Sequence, residues 1–159
     1  MAKFHVDNRL AGSQQALTTT FKTQVALTAA TATLCRGRIY EMNFGADGAP
    51  NSTDCNIVYD VSRQTAAGTS TGLTPLALDP ANVASRTVGS GNFTAEGTIT
   101  ATSTVFDQTL NQRASQRWVA MDQDSMLFWP ATNLAGLAFR ALSPTYTGNV
   151  LANIYYEDL

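Results

Sequence analysis

The sequence predicts an all-β protein, an antiparallel β-sandwich with a jelly-roll-like arrangement of about eight strands. β-Branched and aromatic residues recur in short blocks with turn residues between them, which is typical of a sandwich or barrel. No long stripe of apolar residues at helical spacing interrupts these blocks. Eight antiparallel strands close most simply as two facing sheets, and a jelly roll limits their free edges.

Eight segments have the pattern of a strand. In residues 55–63, the apolar residues Ile57, Tyr59 and Val61 alternate with a mixed set, so one face of this strand is expected to be buried. Turn-forming residues separate the segments, as in GADGAPNSTD at 45–54. The predicted strands lie in residues 18–29, 34–46, 55–63, 97–110, 115–121, 125–131, 136–142 and 149–158.

Two segments lack this pattern. Residues 1–15 are polar and irregular, and we expect an extended N-terminal arm there, followed by a single sandwich domain over 16–159. Residues 63–96 form a long excursion that begins RQTAAGTSTGLTPLALDP, too long for an ordinary connection of about 4–6 residues. Its one helical candidate is residues 79–86, where Asp79 could cap and Pro80 could occupy the first turn.

Composition limits the partners that the chain can have. Only 14% of the residues are charged, against roughly 25% in typical soluble domains, so much of the surface is expected to face a partner. The ten Lys and Arg residues are scattered and form no basic stripe, which argues against nucleic acid. No apolar run approaches a membrane span and no signal peptide begins the chain, so we expect no membrane partner and synthesis in a cytoplasm.

The side chains that usually carry out catalysis are few. His5 is the sole histidine and lies in the expected arm, so a nucleophile would have no rigidly held base. Glu41, Glu96 and Glu157 are too dispersed in the sequence to nominate an acid/base pair. We therefore expect no enzyme, no catalytic residue, no cofactor and no metal.

Two further residue pairs invite a structural explanation. Asp122 and Asp124 have the spacing of a calcium loop but lack the Gly and Glu that complete one, which favours a turn. Cys35 and Cys55 would stay reduced in a cytoplasm, and we interpret both as small buried side chains, with a disulfide as the alternative.

Four ordered pieces carry a resemblance to a known group of proteins. They are TAAGTSTGLTP followed by LDP in residues 65–80, LNQRASQRW at 110–118, SPTYTG at 143–148 and YYED at 155–158. From residue 57 onward the chain resembles small structural proteins encoded among the head genes of tailed bacteriophages. It departs from that pattern between Val83 and Thr98 and in its first 55 residues, so contacts of the arm cannot be transferred.

The resemblance implies a capsid cement or decoration protein, a β-sandwich that binds the outer surface of the head. The implied location is the virion exterior after synthesis in the host cytoplasm, and the implied partners are the major capsid protein and other copies of this chain, as a dimer or trimer. Another virion component, such as a neck, tail or head-fibre adaptor, is one alternative. A carbohydrate-binding jelly roll is the other, because fold does not fix function.

Contacts with the capsid or with other subunits are expected in the arm and in the long excursion. Leucines in the excursion could anchor a partner or merely cover one end of the sandwich, and the two arginines near residue 115 could pair with shell carboxylates or brace the fold. The candidate contact residues are Lys3, Phe4, His5, Arg9, Leu10, Thr69, Leu73, Pro75, Leu76, Leu78, Arg113 and Arg117.

Overall fold

Two six-stranded antiparallel sheets face each other in the computed structural model, which describes residues 1–159. Sheet A has the order β10-β3-β12-β1-β6, with β9 also pairing β3, and sheet B has the order β5-β7-β2-β11-β4-β8. The elements are β1 Lys3–Asp7, a 3-10 helix Asn8–Ala11, β2 Lys22–Ala29, β3 Gly37–Asp47, β4 Asn56–Ala66, β5 Thr69–Leu73, β6 Leu76–Ala77, β7 Thr87–Ala95, β8 Thr98–Asn111, β9 Ser115–Val119, β10 Leu127–Trp129, β11 Gly136–Leu142 and β12 Asn149–Asp158. None of its elements is a helix of the length and apolarity that crossing a bilayer requires.

The connectivity is that of a jelly roll. Strands β9 and β10 lie end to end along one edge of β3, so they count as a single interrupted strand. If β5, β6 and β7 are left out, eight strands remain, and they can be counted from one to eight in chain order. Sheet A then has the order one, eight, three, six, and sheet B has the order two, seven, four, five. This order confirms the predicted fold class. Each of the eight predicted segments overlaps one of β2, β3, β4, β8, β9, β10, β11 and β12, although β3, β4 and β8 extend beyond the predicted ends.

The predicted N-terminal arm requires a correction. Residues 3–7 form β1, which pairs with β12 on one side and β6 on the other and therefore lies inside sheet A. Phe4 and Val6 are buried in the core, while Lys3, His5 and Asp7 alternate with them and face outward. Five residues of alternating pattern were too short a signal to distinguish a strand from a polar arm.

The long excursion is also largely ordered as strands. β4 continues to Ala66, and β5 and β7 extend sheet B beyond β2, while β6 adds to the edge of sheet A beside β1. Glycines 89 and 91 of β7 leave room for Leu73, since a Cβ at Gly91 would lie 3.1 Å from its Cδ1. The helix expected at 79–86 is absent; Asp79 Oδ1 instead accepts a hydrogen bond from the Ala81 N–H in a turn.

The core lies between the sheets and is rich in aromatic side chains. Phe44 of sheet A contacts Tyr59 and Phe139 of sheet B, with ring centroids 4.8 and 5.3 Å apart. Such pairs tie the two layers together through both buried area and ring geometry. Cys35 is buried and Cys55 is half-buried against the core, and both thiols are free, as predicted.

Candidate binding face on sheet A

The pairing registers arrange the outward side chains of sheet A into rows that run across the strands. Directly opposite residues in an antiparallel pair project to the same side, so a row can be followed from strand to strand. The first row is Leu76, His5, Tyr155, Glu41 and Val119. The second row is Leu78, Lys3, Glu157, Arg38 and Phe128, where Leu78 joins through its N–H bond to the Lys3 carbonyl. We call these two rows the sheet A face.

The second row is centred on one buried carboxylate. Glu157 accepts a hydrogen bond from Arg38 Nε at 2.8 Å, and Lys3 Nζ lies 3.7 Å from its other oxygen. Glu157 and Arg38 are both buried, whereas Lys3 is half exposed and also lies 5.0 Å from the centre of the Tyr40 ring. Burial, followed by the charges of Glu41 and Glu157, raises the pKa of Tyr40 to about 12. This row is thus ordered by the fold itself.

The centre of the first row is likewise paired within the chain. The His5 and Tyr155 rings lie 4.8 Å apart, and His5 Nε2 is 3.8 Å from an Asp7 carboxylate oxygen. Arg117 donates from Nε to Glu41 Oε1 at 2.8 Å, and this hydrogen bond holds the pKa of Glu41 below its usual 4.5 against the opposing effect of burial. The polar middle of the face therefore has few groups that would lose a water partner on docking.

Apolar side chains border this polar centre on both sides. On the β6 side, Leu76 is 52% and Leu78 is 50% exposed. On the β9 side, Val119 of the first row is nearly half exposed, and the Ala120 N–H bond to the Tyr40 carbonyl holds the chain at the end of this strand. Exposed apolar groups on a common face, unlike scattered ones, are typical of an interaction surface.

A shallow groove of about 190 Å³ continues the face beyond the first row. It lies over Gly45, where a Cβ would come within 3.0 Å of the Ser115 Cβ. Amide and guanidinium groups of Asn43, Asn153 and Arg117 line it together with Leu151 and other residues. The missing side chain at position 45 is what opens the groove.

The fold brings four of the twelve candidate contact residues onto this face, and a fifth, Arg117, lies beside it and pairs with Glu41. Except for Leu78, which directly follows β6, they lie on three strands far apart in sequence, and the pairing of β1 with β6 places the N-terminal and excursion candidates side by side. The five are Lys3, His5, Leu76, Leu78 and Arg117. Lys3 and Arg117 both form ion pairs with carboxylates of the same chain. For Arg117 this is the internal role that was considered beside pairing with shell carboxylates.

Two candidates are corrected by their burial. Phe4 and Leu73 belong to the hydrophobic core, at 1% and 4% exposure, and cannot contact a partner in this fold. Phe4 stacks on Tyr156, and Leu73 fills the space above the β7 glycines. Both were nominated because they stood in segments read as an arm and a loop.

The other five candidates lie away from the sheet A face. Arg9, in the 3-10 helix, is paired with Asp47 at 2.8 Å, and Leu10 beside it is exposed. Thr69 begins the edge strand β5 of sheet B, and Pro75 is half-buried between β5 and β6. Arg113 pairs with Asp54 at 2.7 Å in the turn between β8 and β9.

Sequence reasoning missed Tyr155, Glu41 and Val119 as members of the face. A signal was present for Tyr155, because the alternation in residues 149–158 places it on the polar side of β12. No such signal joins Val119 to Leu76, since their relation depends on four successive strand pairings.

The structure holds no group of three or more His, Cys, Asp or Glu side chains placed to bind a metal ion. Comparisons of the chain with protein-family models, curated proteins and solved structures found no match.

Proposed function

We propose that this chain is a non-enzymatic structural protein of a bacteriophage virion that binds the outer surface of the capsid and stabilises it. The sheet A face carries the proposal, because two exposed apolar borders flank a polar centre whose charges are already paired. The resemblance of residues 57–159 to phage head proteins supports it, as does the low proportion of charged residues. The partner would be the major capsid protein.

The physical basis is modest binding energy repeated many times. Leu76 and Leu78 are each about half exposed, and burying the remainder would contribute roughly 2 kcal/mol per side chain at about 25 cal/mol per Å². The centre of the face demands little reorganisation, since Glu157 and Glu41 keep their partners. Many copies on one shell would then add their contributions through multivalency.

A closed homo-oligomer, a dimer or trimer, would suit the symmetric junctions between capsid subunits. The long edge strand β8, most of whose residues are exposed, offers unpaired backbone groups on which copies could join. Sedimentation of the purified chain would give its oligomeric state, and a monomer at all concentrations would contradict this part of the proposal.

The direct test uses capsids of the encoding phage prepared without the protein, mixed with purified chain and imaged by cryo-electron microscopy. We expect regular density at many equivalent positions. The double variant Leu76→Ser/Leu78→Ser should lower occupancy at least tenfold, whereas Val88→Ser on sheet B, where the valine is 43% exposed, should bind normally. Circular dichroism and melting temperature would show that each variant is folded.

Other outcomes would point elsewhere. A bare shell, or equal occupancy for the double leucine variant, would contradict capsid binding through this face. Density at a single vertex would favour a neck, tail or head-fibre component instead.

A carbohydrate-binding role is the second candidate, and the groove over Gly45 is the observation that favours it. Its Asn43, Asn153 and Arg117 side chains could hydrogen-bond sugar hydroxyls. Saturable binding to a glycan array without capsid, lost in Asn43→Ala, would support this role over capsid binding.

A further inference from the structure

The pairing of charges across the molecule is uneven. Six of the ten Lys and Arg side chains form ion pairs with carboxylates, and they are Lys3, Arg9, Arg38, Arg113, Arg117 and Arg140. The remaining four are Lys22, Arg36, Arg63 and Arg86. Two of these, Arg36 and Arg63, line one cleft of about 450 Å³ together with Phe128, Trp129, Pro130 and Ala131.

The cleft lies at one open end of the sandwich, where the two sheets separate. Arg63 stands in β4 of sheet B, opposite the core residue Leu137, and so faces the side of the sheet that looks toward sheet A. Arg36 immediately precedes β3 of sheet A. Trp129 fills the space between the sheets and forms the inner wall of the cleft. The two guanidinium groups thus approach the cleft from opposite sheets.

Both guanidinium groups have free hydrogen-bond donors. The Arg36 guanidinium carbon lies 4.6 Å from the centre of the Phe128 ring, a stacking contact that orients the group and leaves its N–H edges open. Arg36 and Arg63 form hydrogen bonds only through backbone atoms, to Leu159 and Cys35 for Arg36 and to Ser103 for Arg63. Each side chain therefore presents its full set of five donors.

Trp129, which lines the same cleft, also has a donor without a partner. Trp129 is 1% exposed, and its Nε1–H finds no acceptor anywhere in the chain. A buried indole N–H usually has a partner. Without one, folding removes the hydrogen bond that the N–H makes with water in the unfolded chain and puts nothing in its place. The Trp129 indole can therefore report on occupation of the cleft that it lines.

We propose that this cleft binds a carboxylate, contributed by an acidic side chain of a neighbouring polypeptide. Two planar arginine forks match the two oxygens of a carboxylate, and the cleft is open at Arg36, Arg63, Pro130 and Ala131, as an extended peptide requires. A nucleic acid is disfavoured because the chain carries a net charge of −2 and has no basic stripe to follow a phosphate backbone. The inference does not depend on capsid binding.

The test follows the indole N–H signal of Trp129 by NMR in the full chain, with Trp118→Phe to leave a single indole. The probes are acetyl-Gly-Glu-Glu-Gly-amide, its Gln counterpart, succinate and inorganic phosphate. We expect saturable binding of the Glu peptide with a shift of the indole proton signal, because Trp129 lines the cleft, and no binding of the Gln peptide. Arg36→Gln and Arg63→Gln should each weaken binding at least tenfold.

Lys22→Gln is the matched control. Lys22 also has no carboxylate partner, but it lies on β2 opposite Ala141. Arg63 lies opposite Leu137, four residues away along β11. Equal weakening by this variant would reduce the effect to net charge and overturn the site. If no saturable shift is seen, or if phosphate binds more tightly than the Glu peptide, the cleft is not a carboxylate site. If succinate binds as tightly as the Glu peptide, the occupant is not a peptide.

Discussion

At the scale of single residues, one glycine determines where the largest core side chain can lie. Gly37 of β3 stands directly opposite Trp129 of β10, and the indole ring covers the glycine. A Cβ at position 37 would overlap the Trp129 ring carbon Cζ2, whereas one at Gly72 would meet nothing within 4 Å. An aromatic ring packed over a glycine on the neighbouring strand is a recognised way to protect exposed backbone in a sheet.

We expect Gly37→Ala to destabilise the protein by about 1–3 kcal/mol, because the Trp129 ring must shift within a closely packed core. Gly72→Ala, also in a strand but facing open space, should change the free energy of unfolding by less than about 0.5 kcal/mol. Urea unfolding followed by tryptophan fluorescence measures both. Equal midpoints for the two variants would show that Gly37 has no special role.

At the scale of elements, the segment from β6 to β7 is held by the end of β12. Asp158 accepts hydrogen bonds from the Arg86 N–H at 2.7 Å, from Thr87 Oγ1 at 2.7 Å and from Ser85 Oγ at 3.1 Å. Tyr156 adds a 2.8 Å bond to the same serine. One carboxylate therefore fixes a stretch that contains only a two-residue strand.

We expect Asp158→Asn to loosen this stretch locally and to cost about 1–3 kcal/mol, because the amide nitrogen cannot accept the bonds that the second oxygen accepts. Amide hydrogen exchange should accelerate at Leu78 and Thr87 while the Ala138 amide in β11 stays protected. Asp79→Asn is the control, since its remaining oxygen can still accept the Ala81 N–H. Unchanged exchange at Leu78 would contradict the anchoring role of Asp158.

The elements also show what sequence could and could not reveal. Strands of seven or more residues with alternating or apolar character, such as β4, β11 and β12, were predictable. β1, β5 and β6 are too short to establish a period, and β7 contains glycines that usually signal turns but here make room for Leu73. The sheet A face depends on pairings such as His5 with Leu76, 71 positions apart, which no local pattern encodes.

At the scale of the whole molecule, carboxylates and tyrosines limit stability at opposite ends of the pH range. Hydrogen bonds from Arg117 and Arg9 hold the pKa values of Glu41 and Asp47 below their usual 4.5 and 3.8. Burial raises the pKa of Tyr40 to about 12 and raises the pKa values of Tyr59 and Tyr156 further. The folded chain thus holds fewer protons than the unfolded chain in acid and more of them in alkali.

These shifts predict a plateau of stability between about pH 5 and pH 9. Below this range, Glu41 and Asp47 take up protons more readily in the unfolded chain, so the free energy of unfolding falls as the pH decreases. Above it, the tyrosines ionise more readily in the unfolded chain, so the free energy of unfolding falls as the pH rises through 10. Urea midpoints from pH 2.5 to 11 would measure the profile, and absorbance at 295 nm would follow tyrosine ionisation. Glu41→Gln/Asp47→Asn should flatten the acid limb and move the alkaline limb only slightly, because burial contributes more than the Glu41 charge to the raised pKa of Tyr40. An acid limb as steep as that of the unmodified chain would assign acid unfolding to other carboxylates.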